Sequence, residues 1–222
     1  MGLDPVRAAG SLTTARASAQ GPSGDGGNLI IFVRHGQTSV NREGRFQGRL
    51  DPPLTELGQE QARRCAAGLV RSGATAVWTS PLQRAADTAR EIATMLAAPL
   101  EIDERLVEVD YGEWDGRRLG DVDAAEWAAW RADTSFAPPG GESLASVGER
   151  VAAFCDERLR SDATIVAVSH VSPIKAAVAW ALGVGDDATW RMQLDVASVT
   201  RIGRRANGPA YLATYNETGH LS

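Results

Sequence analysis

Five consecutive β-prone apolar residues, Leu29-Ile30-Ile31-Phe32-Val33, constrain this chain more than any other stretch. No polar residue interrupts them, so they suit a strand covered on both faces rather than one with a face in water. Strand, loop and helix then alternate along the rest of the chain. Thr55 to about Arg71 predicts a helix with Thr55 as N-cap, an apolar face through Ala62, Cys65, Ala66 and Leu69, and Gly73 at its end. Ala76-Val77-Trp78-Thr79 reads as a strand, and Ser80-Pro81 as the start of a helix running to about Leu96. Leu100 to Leu106 reads as a further strand, Glu142 to about Arg160 as a helix, and Thr164 to Val168 as a strand. Ser172-Pro173 predicts a helix ending at Gly183, and the tail predicts two strands, Ser198 to Arg204 and Ala210 to Asn216, joined by a turn at Asn207-Gly208. This alternation points to an α/β domain with a largely parallel sheet.

Composition narrows the function. The 222 residues are 43% hydrophobic, enough for a real core, while no apolar run approaches the roughly 18 to 20 residues needed to cross a bilayer. No membrane partner is expected, and the protein is placed in the cytoplasm. With 23 Lys+Arg against 28 Asp+Glu the net charge is −5, which argues against nucleic acid as a partner. Cys65 and Cys155 cannot form a disulfide scaffold, and three histidines without a Cys/His cluster argue against structural zinc. Residues 1–27 hold six Gly and five Ala with almost no large apolar side chain, so disorder is predicted there and the folded domain is assigned to 28–222.

Ligands of open α/β sheets bind beyond the carboxyl ends of the strands. Three such ends carry polar residues here: Arg34-His35-Gly36 after the first strand, Ser80-Pro81 with Arg84 after the second, and Ser169-His170 before the second Ser-Pro helix start. Taken singly, either histidine reads as structural and Arg84 as a solvated surface charge. Their agreement at three strand ends predicts a crevice holding two arginines, two histidines and two helix N-termini. Such a crevice suits an anion with several oxygens, and a phosphoryl group fits that description.

The residues also resemble a known family. Val33-Arg34-His35-Gly36-Gln37-Thr38 is similar to the Arg-His-Gly motif of the histidine phosphatase superfamily, also called phosphoglycerate-mutase-like. The likeness continues through Asn41, Gln47-Gly48, Asp51, Pro53-Leu54-Thr55 and Gly58, then Ser80-Pro81-Leu82-Gln83-Arg84-Ala85 and Thr88-Ala89. Glu108-Val109-Asp110-Tyr111-Gly112-Glu113-Trp114, Gly140-Gly141-Glu142-Ser143 and Ser169-His170 complete it. The resemblance implies a three-layer α/β/α sandwich with a mostly parallel central sheet and a small helical cap insertion. It implies His35 as a nucleophile that becomes a phosphohistidine, Glu108 as proton donor, and Arg34, Arg84 and His170 as the phosphate pocket. Asn41, Gln47 and Gly48 would add contacts to the phosphoryl oxygens. The substrate would be a small phosphorylated metabolite, with neither metal nor other cofactor.

Within the family, Val171 stands where many members have glycine. The run Ser169-His170-Val171-Ser172-Pro173-Ile174-Lys175 is similar to the acid-phosphatase domain fused to RNase H in some actinobacterial bifunctional proteins, and α-ribazole phosphatases are further relatives. Residues 1–27 are too short for an RNase H domain, so a stand-alone phosphatase is expected. The main alternative is a cofactor-dependent phosphoglycerate mutase, and a weaker one is a non-catalytic phosphate-binding protein. Only 33 residues separate Glu108 from Glu142, less than the mutase insertion, which favours hydrolysis. Arg117 and Arg118 read as surface charges. Specificity is expected from the segment between Tyr111 and Gly140, where Trp114, Trp127 and Trp130 read first as packing of the cap and second as substrate contacts. The oligomeric state stays open, a homodimer included.

Overall fold

The computed structural model describes residues 28–205 and 208–222. The disorder expected of residues 1–27 and the Asn207 half of the expected tail turn lie outside the described residues. The elements follow in the order β1 (Leu29–Arg34), α1 (Ser39–Arg42), α2 (Glu56–Leu69), β2 (Ala76–Thr79), α3 (Gln83–Leu96) and β3 (Leu100–Ile102). They continue with α4 (Ala124–Ala132), α5 (Leu144–Arg158), β4 (Ile165–Ser169), α6 (Val171–Leu182), β5 (Val199–Arg204) and β6 (Ala210–Glu217).

The sheet has the order β3-β2-β4-β1-β5-β6. Its first four strands are mutually parallel, and β5 and β6 add antiparallel pairs at one edge. Period-two alternation in β1 divides the core between two layers. Ile30 and Phe32 pack with Phe154 of α5 and Ile174 of α6, whereas Ile31 and Val33 pack with Cys65 and Leu69 of α2 and Ala89 and Ile92 of α3. All five residues of β4 are buried, as expected of a central parallel strand covered by helices on both faces. This is the three-layer α/β/α sandwich, with α4 and its flanking loops as the cap insertion.

This topology opens the crevice. β1 and β4 are neighbours, and Arg34 pairs with Ser169 in register at their carboxyl ends. The chain leaving β1 enters the α2–α3 layer, and the chain leaving β4 enters the α5–α6 layer. The two connections diverge to opposite faces, so the space beyond the strand ends is left free for a ligand.

Several boundaries differ from expectation. The strand predicted over Leu100 to Leu106 stops at Ile102, because Asp103 turns the chain into a 3₁₀ turn, Glu104–Leu106, and caps it by accepting from the Arg105 amide at 3.0 Å. Ser80 is not the cap of α3; Leu82 occupies that position, and Ser80 Oγ accepts from the Leu82 amide at 3.3 Å. α6 begins at Val171 with His170 at the cap position, so Pro173 sits third in the helix. Proline is tolerated there because the amides of the first turn have no partner within the helix. α2 matches its expected cap, Thr55 accepting from the Gly58 amide at 3.1 Å, and Gly183 ends α6 in the left-handed region at φ 64°.

Candidate active site

The crevice is a cavity of about 130 Å³ lined by Arg34, His35, Asn41, Gln47, Gly48, Arg84, Glu108 and Tyr111, among others. Ring centroids of His35 and His170 lie 5.0 Å apart. The expected site residues therefore come together, although they enter from five separate segments.

His35 follows the last residue of β1, and its own amide extends the strand by donating to Ser169 O at 3.0 Å. The turn after it is tight: a Cβ on Gly36 would lie 2.3 Å from Gly58 O, and one on Gly58 would lie 2.1 Å from Gln37 O. Glycine at both positions lets the β1 exit press against the first turn of α2. His35 Nδ1 lies 2.8 Å from Gly36 O, so this nitrogen carries the proton and Nε2 keeps its lone pair. Arg84 Nε donates toward that Nε2 at 3.3 Å. Burial first, then Arg84 and Arg34, hold the His35 pKa well below the ordinary histidine value. The imidazole is thus neutral, oriented and basic only at Nε2.

Arg84 is fully buried rather than a surface charge. Nη1 donates to Leu50 O at 2.6 Å and Nη2 to Gly48 O at 2.8 Å, while Asp51 Oδ1 lies 3.5 Å from Nη1. These contacts tie it to the loop 48–51, and burial pulls its pKa down to about 10, still charged at neutral pH. Gly48 has φ +40°, and a Cβ there would meet Asp115 Oδ1 at 2.0 Å. Its place in the site is to present its carbonyl to Arg84.

Three buried side-chain nitrogens around the crevice have no hydrogen-bond partner among the described residues: Arg34 Nε, Gln47 Nε2 and His170 Nδ1. Arg34 donates instead through Nη1 to Leu194 O at 2.7 Å. Gln47 Oε1 accepts from Asn41 Nδ2 at 2.9 Å and faces the Thr38 hydroxyl at 2.8 Å, which leaves its amide nitrogen as the free end. His170 Nε2 lies 2.7 Å from Ser80 Oγ, and burial, Arg84 and His35 hold its pKa well below the ordinary value. With Ser80 donating to Nε2, the proton of the neutral ring sits on Nδ1. Buried donors without partners are costly, and an oxyanion with several acceptor oxygens in the crevice is a group that could supply acceptors to such donors.

The two helix N-termini do not face the crevice as free amides. Glu108, itself buried, accepts from the Val171 and Ser172 amides of α6, both at 3.1 Å, and from its neighbour Val109 at 2.9 Å. Asp51 Oδ2 accepts from the Gln83 amide of α3 at 2.7 Å. The dipole of α6 therefore holds the carboxylate that faces the cavity, and anion binding falls to side chains.

Some residues of the site have no role assigned from sequence, although Thr88 and Glu142 fall within the motifs quoted above. Thr88 Oγ1 accepts from the Gly36 amide at 3.2 Å, one turn after Arg84 on the same helix face, a spacing that could have revealed it. Arg150 grips Glu142 through two nitrogens and donates to Arg105 O at 2.6 Å, which braces the Glu108 loop. No local pattern marks that role. Trp114 and Trp130 are buried and stack edge-on at 5.9 Å, while Trp127 is half-buried and sits 5.9 Å from Phe46, a wall of the crevice. Arg117 and Arg118 are exposed.

A doubly wound sheet whose strand ends gather a neutral histidine, arginines and a buried glutamate around a polar crevice makes a site suited to an anion with several oxygens. Comparison with known proteins gives the lineage. The sequence matches the histidine phosphatase superfamily (branch 1) over residues 30–218, and the chain belongs to that family. It is similar to the bifunctional protein Rv2228c of Mycobacterium tuberculosis, with 39% identity over 198 residues, 86% of this chain and 54% of that one. The chain thus spans about half the length of that relative. It is also similar to phosphoserine phosphatase 1 of Hydrogenobacter thermophilus, with 36% identity over 181 residues covering 78% of this chain and 85% of that one. Among solved structures, a mycobacterial glucosyl-3-phosphoglycerate phosphatase complexed with VO3 superposes with a TM-score of 0.79 at 29% identity, over 86% of this chain and all of that one.

Proposed function

We propose that this protein hydrolyses phosphomonoesters of small metabolites through a phosphohistidine on His35, with neither metal nor cofactor. The observation that carries the proposal is the neutral, Nδ1-protonated His35 beside three buried donors that lack partners among the described residues. The relatives named for phosphatase activity support it.

In this mechanism the substrate phosphoryl group seats against Arg34, Arg84, His170 and the Asn41–Gln47 pair. His35 Nε2 attacks phosphorus as the bond to the ester oxygen breaks, and Glu108 gives that oxygen a proton. Water then attacks the phosphohistidine, Glu108 takes the water's proton, and inorganic phosphate leaves with His35 restored. Phosphoryl transfer needs in-line positioning and stabilisation of charge on the equatorial oxygens, and permanently charged guanidinium groups supply that stabilisation. Cytoplasmic residence is part of the same reading.

The test is phosphate release from a broad phosphoester panel with EDTA present, beside a His35→Ala control. The expected result is EDTA-resistant release that the substitution abolishes. Activity lost to EDTA, activity kept by the variant, or interconversion of phosphoglycerates with negligible release would overturn the proposal.

A further inference from the structure

A second cavity, of about 80 Å³, adjoins the phosphoryl crevice and shares two walls with it, Tyr111 and Val171. Lys175 lines it from α6, one turn beyond Val171, so both residues face the same side of the helix. Its ammonium has no hydrogen bond or ion pair among the described residues. The charges that act on it are Glu108, whose two oxygens are already engaged by backbone amides, and Arg34. Burial lowers its pKa, and Glu108 partly restores it.

Two further polar residues line the cavity from the 3₁₀ turn Asp186–Arg191. Thr189 is only 5% exposed, and its Oγ1 has no partner among the described residues. Trp190 Nε1 lacks one as well. An ammonium and an indole N–H can only donate, and the threonine hydroxyl can donate with them. Ser172 and Tyr111 add hydroxyls that can also accept, but Lys175 is the one charged residue among those that line the cavity, and its ammonium with the indole N–H suits a ligand group that accepts and carries negative charge. A neutral sugar hydroxyl would leave the charge of the ammonium unmatched. Trp130 and Leu144 close the remaining walls, so the group has to be short.

We propose that this cavity is the leaving-group subsite, where Lys175, Thr189 and Trp190 recognise a carboxylate carried by the alcohol portion of the substrate. The inference rests on the phosphatase reading and narrows it to phosphomonoesters of short hydroxy acids. The phosphoryl group occupies the crevice at His35, and the carbon chain passes between Tyr111 and Val171. The carboxylate ends against Lys175. Lys175 acts here as a specificity residue and takes no part in bond making.

Matched pairs of esters test this. 3-Phosphoglycerate against glycerol 3-phosphate, and phosphoserine against phosphoethanolamine, differ in the carboxylate. The wild-type protein is expected to prefer the carboxylate member of each pair by about 10- to 100-fold in kcat/KM, the range of one partly buried charge-assisted contact. Lys175→Met should bring each ratio to within about threefold of one, and Lys175→Arg should keep a preference. A wild-type ratio near one, or a ratio that Lys175→Met leaves intact, overturns the subsite. Titration calorimetry of the same pairs against the His35→Ala variant separates this inference from the phosphatase reading. A Kd preference without turnover by the wild type would sustain the subsite and sink the phosphatase. Turnover without the preference would do the reverse.

Discussion

The two halves of the site are built by opposite strategies. The phosphoryl half sits on the ends of β1, β2 and β4, three adjacent parallel strands of a buried sheet, and Arg34, His35, Arg84 and His170 lie at or shortly after those ends. The leaving-group half is assembled from the first two turns of α6, the cap around α4 and the 3₁₀ turn Asp186–Arg191, segments far apart in the chain. The first half inherits its geometry from backbone pairing that a side-chain change leaves in place. The second depends on aromatic packing among Trp114, Trp127, Trp130 and Trp190. A rigid half suited to a constant phosphoryl group and a side-chain-built half suited to a variable alcohol are what a family of phosphatases with different substrates requires.

If that contrast holds, damage in the first half removes activity on every ester. Arg84→Ala is expected to lower kcat by roughly 10²- to 10³-fold across the panel, the usual cost of one preorganised donor. Steady-state kinetics on at least three unrelated esters would check it, and a loss confined to one of them would break the comparison. Gly36→Ala attacks the same half through the backbone. Its Cβ would fall 2.3 Å from Gly58 O, and overpacking of this kind costs about 1 to 3 kcal/mol, readable as a lowered midpoint in denaturant unfolding.

A smaller effect follows from the two site histidines. His35 and His170 are buried with folded pKa values well below the ordinary 6.5, whereas the unfolded chain takes up protons near that value. Below about pH 6.5 the unfolded state therefore binds more protons than the folded one, and stability falls as pH falls. One pH unit lower, each histidine costs roughly 1 to 1.5 kcal/mol. Asp115 acts in the opposite sense, because burial raises its pKa to about 6 and the folded state gains a proton there first. Melting temperatures from pH 7.5 to 5.5 should decline in the wild type and decline less in His170→Asn. The smallest effect belongs to the second half. Trp127→Ala, at a half-buried position beside Phe46, should alter the ranking of substrates while leaving the folded state intact. An unchanged ranking would remove the cap from the specificity account.

Legibility in the sequence follows the same division. Leu29 to Val33 read as a doubly covered strand because no alternation interrupts it, and Arg34, His35, Arg84 and His170 stand out because they fall at strand ends. What sequence spacing missed is long-range. Ser80-Pro81 reads as a helix start, yet the Ser80 hydroxyl lies 2.7 Å from His170, 90 residues away, a pairing that exists only because β2 and β4 are neighbours. The helix N-termini read as seats for the anion, yet Glu108 and Asp51 occupy them, and neither acid carries a local signal of that contact. Lys175 passed as one more residue of α6 because the donors that join it in the second cavity come from the Asp186–Arg191 turn.

The central claim is that His35 Nε2 takes the phosphoryl group. Rapid-quench intact mass and peptide mapping, under conditions that preserve acid-labile phosphohistidine, test it most directly. The expected result is a transient phosphoryl adduct confined to the peptide bearing His35, absent from His35→Ala and longer-lived in Glu108→Gln. Phosphate release without any adduct, or an adduct on another residue, would contradict it.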